Sequence, residues 1–378
     1  MGGDVKDTAL LKLHEYGQSV WIDFISRSLL DSGRLKRLIE QGVYGLTSNP
    51  TIFDKAISKS PDYDRPIKEM KAEHKTTFEI YDDITVKDIQ DAADLFKPIY
   101  EMTEGLDGYV SLEINPELAD DSEGTVAEGK RLYAKVARPN VMLKVPATGA
   151  GFVAVGELLS ESINVNVTLI FSLQQYIRTS ESYMEGIENL RKRGGIAKRV
   201  HSVASVFVSR VDTSVDDIID KQLNTQADGV QRDELGRLLG TAAVANSAVI
   251  YDAYSRMFSG ERFEKLRKAG ANVQRVLWGS TSTKNPAYSD IKYVTELIGK
   301  KTVNTIPEKT LEAFLDHGEV TEALPGDLEQ AHAIIEALMK YGIDLNDICD
   351  KLLKDGVVAF QSSFSSLLEA IEEKAARL

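Results

Sequence analysis

The sequence predicts an α/β fold, a closed (β/α)8 barrel with additional helices, from two main observations. Eight short runs of β-branched, aromatic and aliphatic residues recur along the chain, each followed by a polar turn and a segment of helical periodicity. Almost every run also carries a polar residue at or near its end, where a strand covered on both faces should be apolar. The length of 378 residues suits such a barrel with extra helices.

The eight runs are each expected to form one strand, and they lie at residues 20–24, 42–47, 109–114, 141–145, 164–170, 202–208, 275–279 and 302–306. Helical patterns lie between them, and in the first connection Leu35, Leu38 and Ile39 mark one apolar helix face. Alternating strands and helices favour a parallel sheet with right-handed crossovers.

No repeat or linker-like stretch divides the chain, so we expect one barrel domain over residues 1–378. We expect an N-terminal helix at about 5–17 and a C-terminal helical extension at about 319–378. The two long connections, 50–108 and 209–274, carry charged amphipathic patterns typical of inserted surface helices.

An apolar stripe runs through the last predicted helix and contains Phe360, Phe364, Leu367, Leu368 and Ile371. We expect this stripe to pack on the exterior of the barrel. A lid or a subunit contact is the alternative.

The formal net charge of −13 disfavours nucleic acid and anionic lipid as partners, but a few local cations could still bind a small anionic substrate.

One cysteine, Cys349, cannot form an intramolecular disulfide, and the five histidines lack the spacing of metal ligands, so we expect no metal. The first ten residues lack a signal-like apolar core, and no run approaches the roughly 18 apolar residues of a membrane span. We therefore expect a cytoplasmic protein.

Polar side chains mark the carboxyl ends of the predicted strands, and they are Asp23, Asn49, Glu113, Lys144, Asn166, Thr168, Ser205, Ser282 and Lys284. Any one of them could simply cap a helix or close a turn. Their recurrence on almost every strand favours an active site, because barrel enzymes gather catalytic residues on that rim.

Lys144 is the most informative of these positions because Met142, Leu143 and Val145 surround it in sequence. Loss of hydration would disfavour its ammonium form and make a neutral, nucleophilic amine available. The alternatives are a structural lysine in a salt bridge with Asp23 or Glu113, or a lysine whose ammonium group reaches solvent from the strand end. Schiff-base chemistry needs such an amine together with a group that moves protons, and both carboxylates are candidates for that second role.

The seventh run leads into a turn rich in serine and threonine at residues 279–284, where backbone amides, hydroxyls and Lys284 could bind a phosphate. Arg210, just after the sixth run, could reach the same oxygens. The chain has neither a Gly-x-Gly-x-x-Gly nor a P-loop sequence, which argues against nicotinamide and phosphoryl-transfer chemistry.

Together these motifs resemble the transaldolase family from about residue 17 to about residue 310. The likeness is carried by Trp-Ile-Asp-Phe-Ile-Ser-Arg at 21–27, Gly-Leu-Thr-Ser-Asn-Pro-Thr-Ile-Phe at 45–53, Val-Ser-Leu-Glu-Ile at 110–114, Leu-Lys-Val-Pro-Ala-Thr at 143–148 and Asn-Val-Thr-Leu-Ile-Phe-Ser at 166–172. The resemblance implies a TIM barrel with a Schiff-base lysine at Lys144. It also implies cofactor-free transfer of a dihydroxyacetone unit from sedoheptulose 7-phosphate to glyceraldehyde 3-phosphate, a reversible step of the pentose phosphate pathway that gives fructose 6-phosphate and erythrose 4-phosphate.

The resemblance also implies a role for each matching residue. Lys144 would attack the C2 carbonyl, Asp23 would exchange a proton with the C4 hydroxyl, and Glu113 with Thr168 would hold the catalytic water. The sugar fragment would be bound by Asn49, Asn166 and Ser205, and its phosphate by Arg210, Ser282 and Lys284. Many relatives have arginine where this chain has Lys284, so the phosphate would meet a point charge instead of a bidentate fork.

Two alternatives stay open from the sequence. A fructose-6-phosphate aldolase on the same scaffold would use the same lysine but release free dihydroxyacetone, although the known aldolases of this type are much shorter chains. A non-catalytic sugar-phosphate-binding barrel would share only the fold. In each case we expect sugar phosphates as ligands, without nucleic acid or membrane partners, and the sequence leaves open whether the chain forms a homo-oligomer.

Overall fold

The computed structural model describes residues 8–225 and 229–378, and at its centre eight parallel strands form a closed barrel in chain order. The strands are β1 Gln18–Ile22, β2 Gly45–Thr47, β3 Tyr109–Glu113, β4 Val141–Pro146, β5 Val165–Ile170, β6 Ser202–Phe207, β7 Arg275–Gly279 and β8 Thr302–Ile306. The predicted fold class is confirmed.

All eight predicted runs form strands, and the differences lie at their ends. The prediction for β1 was displaced, since the strand ends at Ile22 and leaves Asp23 at the rim, with its backbone N–H bonded to Ile306 O at 3.0 Å. The prediction for β2 began too early because Gly42 has a φ of 110°, a left-handed conformation that closes the preceding helical turn.

Helices connect and surround the strands. They are α1 Ala9–Tyr16, α2 Arg27–Asp31, α3 Arg34–Glu40, α4 Pro50–Lys59, α5 Asp64–Ala72, α6 Thr77–Met102, α7 Ser122–Val136, α8 Gly149–Ser160, α9 Leu173–Lys192, α10 Ser209–Thr225, α11 Gly229–Gly236, α12 Ala242–Ser259, α13 Glu261–Lys268, α14 Lys292–Thr295, α15 Glu308–His317, α16 Leu328–Lys340 and α17 Leu345–Arg377. Within residues 8–225 and 229–378, no helix is long and apolar enough to cross a membrane.

The long connections contain helices as expected, α4 to α6 in one and α10 to α13 in the other. Of the helix predicted at about 5–17, residues 5–7 lie outside the described residues, and the rest contains α1. The C-terminal extension becomes helical only at Leu328, later than predicted, because the chain from 318 to 327 forms an irregular connection.

Large apolar side chains fill the interior of the barrel toward its amino end, and they are Trp21, Tyr109, Met142, Val203, Leu277 and Val303. The indole ring of Trp21 packs directly against Gly45 of β2. A Cβ atom on Gly45 would lie 2.6 Å from the indole ring, so only glycine leaves room for it. The interior is therefore a packed core and not a channel.

A buried ion pair lies at the amino end of this core. Arg275 at the start of β7 contacts Asp107 at 2.9 Å, and both side chains are less than a tenth exposed. Asp107 also accepts hydrogen bonds from Ser19 Oγ at 2.6 Å and from Trp21 Nε1 at 3.0 Å. The charges are thus fully engaged, as a buried ion pair requires if it is not to destabilise the fold.

The last helix, α17, packs on the exterior of the barrel as expected and also reaches the carboxyl end of the strands. It contacts α4, α5 and α6, but also β5 and the turn that follows β3. Its Phe360 lies at the open carboxyl end of the barrel, 4% exposed, whereas Phe364 and Leu367 are buried elsewhere along the helix. The stripe therefore packs on the exterior of the barrel, and Phe360 alone carries it into the cavity among the described residues of α17.

The substitution Asp107→Asn should lower the free energy of unfolding by about 3–5 kcal/mol, because it leaves the guanidinium of Arg275 buried without a counter-charge. Denaturation by urea would measure the loss. The matched control is Glu104→Gln, which breaks the ion pair between Glu104, 82% exposed, and Lys198, 73% exposed. This substitution should lower the free energy of unfolding by less than about 1 kcal/mol. Equal losses in both variants would contradict a stabilising role for the buried pair.

Candidate active site

A cavity of about 810 Å³ opens at the carboxyl end of the barrel. It is lined by most of the predicted site residues, namely Asp23, Asn49, Lys144, Ser205, Arg210, Ser282 and Lys284. Glu113, Asn166 and Thr168 do not line it, since they are buried in the strands next to Lys144. The structure therefore gathers the predicted residues in one region, in two layers.

Lys144 lies on β4 and is 3% exposed. Its Nζ lies 3.1 Å from Glu113 Oε2 and donates a hydrogen bond to Ser48 O at 3.0 Å. The register of the barrel explains the first contact, because Glu113 of β3 is the direct neighbour of Lys144 across the strand pair. The salt bridge considered as an alternative is thus present, in a cavity wall where the same amine can meet a ligand.

The carboxyl groups of Asp23 and Glu113 both lie close enough to the ammonium group of Lys144 to feel its charge. Burial raises the pKa of Asp23, while the charge of Lys144 and a hydrogen bond donated by Thr47 Oγ1 at 2.6 Å oppose the rise. Burial also raises the pKa of Glu113, where Lys144 lowers it and the charge of Asp23 adds to the rise. Carboxyl groups with raised pKa values accept and hold a proton more readily than ordinary carboxylates, which suits them to acid–base catalysis.

A chain of hydrogen bonds crosses the barrel beneath the cavity. Ser205 Oγ donates to Asn166 Oδ1 at 2.6 Å, and Asn166 Nδ2 donates to Ser111 Oγ at 3.1 Å. Asn166 is wholly buried, so it reaches the cavity through Ser205. The hydroxyl of Thr168 is buried without a hydrogen-bond partner among the described residues, which leaves it available to a small polar ligand.

Asn49 combines a structural and an available polar group. It is the N-cap of α4, and its Oδ1 accepts a hydrogen bond from the backbone N–H of Ile52 at 3.0 Å. The helix-cap reading of this residue is therefore confirmed. The residue also lines the cavity, and its side-chain NH2 group is a hydrogen-bond donor that the cap does not use.

Basic residues form one wall of the cavity. The first turn of α10 is tied to the loop after β7, since Ser209 N donates to Ser280 O at 3.1 Å, and this places Arg210 beside that loop. Arg210 lies over the Phe207 ring at 5.6 Å, and Lys284 Nζ donates to Ser282 Oγ at 2.8 Å. Burial and the charges of Arg210 and Lys55 lower the pKa of Lys284.

These three cations, Lys55, Arg210 and Lys284, form no ion pair with a carboxylate in the part of the chain that the structure describes. Clustered like charges repel each other, and without a direct carboxylate partner this repulsion is only partly offset inside the protein. An anion in the cavity would offset the rest of it, and a phosphate group has the matching charge and oxygen acceptors.

Sequence reasoning missed several cavity residues. Thr47 and Phe207 each lie two positions from a predicted site residue, so the period of two in a strand could have found them. Lys55 lies on α4 beyond the Asn49 cap, and Phe360 lies on α17, more than two hundred residues from Lys144 in sequence. No local pattern marks Lys55, and the apolar stripe marks Phe360 as buried without showing that it reaches the cavity, because only the tertiary fold brings both residues to the rim.

Within residues 8–225 and 229–378, no group of three or more histidine, cysteine, aspartate or glutamate side chains is placed to hold a metal ion. The chemistry that the arrangement itself offers is that of a buried amine, two carboxyl groups with raised pKa values and an anion-binding wall. Amine-based covalent catalysis on an anionic carbonyl substrate fits these groups.

Comparison with known proteins agrees with this chemistry. The family model described as transaldolase/fructose-6-phosphate aldolase matches residues 20–371. Similar proteins include a transaldolase of Trichodesmium erythraeum, 42% identical, and a transaldolase 2 of Streptomyces coelicolor, 44% identical, each aligned over 98% of both chains. A transaldolase of Mycolicibacterium smegmatis is 42% identical over 96% of both chains. The chain belongs to the transaldolase/fructose-6-phosphate aldolase family.

Proposed function

We propose that this enzyme is a transaldolase that moves a dihydroxyacetone unit between ketose and aldose phosphates through a Schiff base on Lys144. The observation that supports this most is the amine of Lys144, 3.1 Å from Glu113 Oε2, in a cavity that also contains the unpaired cations Arg210 and Lys284. The amine would react with the carbonyl carbon while the cations bind the phosphate. Fructose 6-phosphate and sedoheptulose 7-phosphate are the proposed donors.

The first half of the reaction would build the covalent intermediate. Lys144 passes a proton to Glu113, whose raised pKa makes it an acceptor, and the neutral amine attacks the C2 carbonyl carbon. The carbinolamine then loses water to give the iminium. Glu113 and the unpartnered hydroxyl of Thr168 would hold that water.

The second half would break and remake a carbon–carbon bond. Asp23 takes the proton of the C4 hydroxyl, the C3–C4 bond breaks, and its electrons form an enamine on Lys144 while the first aldehyde leaves. The acceptor aldehyde, erythrose 4-phosphate or glyceraldehyde 3-phosphate, then bonds to the enamine carbon and receives the proton from Asp23. Hydrolysis of the new iminium releases the product ketose, and the cycle needs no cofactor.

A place in the pentose phosphate pathway follows from these substrates and belongs to the same proposal, as does a location in the cytoplasm. The single thiol, Cys349, is buried and unpaired, as is common in a reducing compartment. The aldolase alternative differs only in the fate of the enamine. In an aldolase the enamine would be protonated and released as free dihydroxyacetone, whereas in a transaldolase it reacts with an acceptor aldehyde.

Borohydride reduction in the presence of fructose 6-phosphate should fix an adduct on Lys144, and peptide mass spectrometry would locate it. Lys144→Ala should abolish both adduct and transfer. Asp23→Ala should accumulate a six-carbon adduct without releasing glyceraldehyde 3-phosphate, since the imine forms but the C3–C4 bond persists. Lys292→Ala is the control, because it removes a mostly buried lysine outside the cavity. Transfer at the wild-type rate in Lys144→Ala would refute the proposal.

Thr47→Val should move the acidic limb of the pH profile of kcat/KM to higher pH. The hydrogen bond from Thr47 lowers the pKa of Asp23, so without it the pKa rises further and the ionised, proton-accepting form is lost at a higher pH. Thr305→Val is the matched control, because Thr305 Oγ1 contacts Thr47 Oγ1 at 2.6 Å and leaves the bond to Asp23 in place. An unmoved limb in Thr47→Val would show that Asp23 does not control it.

Removal of either phosphate-facing cation, in Arg210→Ala or Lys284→Ala, should weaken binding of fructose 6-phosphate roughly ten- to hundredfold, the usual worth of a charged hydrogen bond. Lys284→Arg should retain or tighten binding through its bidentate fork. Calorimetry would measure the affinities, with the exposed Lys300→Ala as control. If these substitutions weakened the binding of fructose, which has no phosphate, by the same factor, the result would contradict a phosphate site.

A further inference from the structure

Phe360 is the one large aromatic side chain that α17 contributes to the cavity, among the residues that the structure describes. The centroid of its ring lies 5.8 Å from Lys144 Nζ, and the residue is 4% exposed. It belongs to the apolar stripe of the last helix, outside the motifs that carry the family resemblance, and no step of the proposed reaction uses it. An apolar ring so close to the reactive nitrogen limits the access of water to it.

A glycine one helical turn earlier brings this ring into place. Gly356 faces β5, and a Cβ atom there would lie 2.9 Å from Leu169 Cδ2. Leu169 itself has a φ of 60°, at a register shift between β5 and β6, so β5 bends just after Thr168. The absent side chain lets α17 approach this bend, and Phe360, four residues later on the same helix face, lies over Lys144.

Hydrogen bonds hold this part of α17 on both sides of the ring. Ser363 Oγ lies 2.8 Å from Thr51 Oγ1 of α4, and Gln361 Nε2 donates to Pro116 O at 3.3 Å in the turn after β3. Further along, Lys374 Nζ donates to Ser60 O at 2.6 Å. The ring is therefore fixed by contacts to the connections that follow β2 and β3, and not by its own packing alone.

We propose that Phe360 shields the Lys144 amine and the enamine formed on it from water, and so decides how much turnover ends in transfer. This inference rests on the proposed function, whose enamine has two fates. In one, its carbon bonds to the acceptor aldehyde. In the other, water or its conjugate acid protonates that carbon, a second water adds to the resulting iminium, and free dihydroxyacetone leaves with the neutral amine restored.

The chemistry of the ring suits this role. A phenyl group carries no proton to give to the enamine carbon, and its bulk takes the place of water beside the nitrogen. The negative face of the ring also favours the positive iminium at this distance. The expected effect of the ring is thus on the ratio of the two fates and not on the ability to form the imine.

The experiment compares three variants of the full chain with the wild type. Phe360→Ala removes the ring, and Gly356→Ala displaces the helix that carries it through the 2.9 Å contact with Leu169. The matched control is Phe364→Ala, which removes an equally buried ring, one turn further on, that packs edge-on against Tyr81 at 5.1 Å. Release of free dihydroxyacetone from fructose 6-phosphate is measured beside transfer to erythrose 4-phosphate, in deuterated water.

Phe360→Ala should raise the ratio of release to transfer about tenfold, equivalent to about 1.4 kcal/mol of differential barrier, with one deuterium in the released ketone. Gly356→Ala should raise it in the same direction, and Phe364→Ala should leave it at the wild-type value. Borohydride should still trap the imine in every variant. If Phe360→Ala does not fold, the ratio in Gly356→Ala decides.

The possible results separate the inference from the function beneath it. A wild-type chain that forms no imine overturns the proposed function and the shielding role together. A wild-type chain that transfers normally, with an unchanged ratio in Phe360→Ala or an equal rise in Phe364→Ala, overturns the shielding role alone.

Discussion

The pairing of the first strand with the last is the constraint on which the rest of the structure depends. β1 and β8 pair in unbroken register from Gln18 with Thr302 to Ile22 with Ile306. This closure leaves the sheet without an edge and brings all the carboxyl ends to one rim. Asp23 and Lys144, far apart in sequence, meet in one cavity for this reason, and the cavity would not exist on an open sheet.

The two ends of the barrel treat charge in opposite ways. At the amino end the ion pair of Arg275 and Asp107 is surrounded by donors and acceptors within the protein. At the carboxyl end Arg210 and Lys284 form no ion pair with a carboxylate among the described residues, and two carboxyl groups compete for Lys144. A net charge of −13 thus describes the outer surface, while a local field of opposite sign governs what enters the cavity.

Much of the fold and the inner part of the site could be predicted from the sequence, because both are marked by local differences in residue polarity. A lysine such as Lys144 within an apolar run stands out, and the runs themselves mark the strands, with β7 and β8 predicted at both ends. Strand ends such as that of β1 were displaced, since they depend on hydrogen bonds to a neighbouring strand. The place of Lys55 in the cavity could not be predicted, and the apolar stripe indicated the burial of Phe360 but not its contact with the site, because helix positions reach the rim only through tertiary packing.

The single thiol gives the chain a practical chemical property. Cys349 is fully buried, its Sγ donates to Phe171 O at 3.4 Å, and burial raises its pKa to about 12. Thiolate is the reactive form, so alkylating reagents and peroxide should find almost none of it in the folded protein. A cysteine introduced on the surface would then be the one readily labelled position, and a dye or spin probe attached there could report on α17 without removal of the native residue.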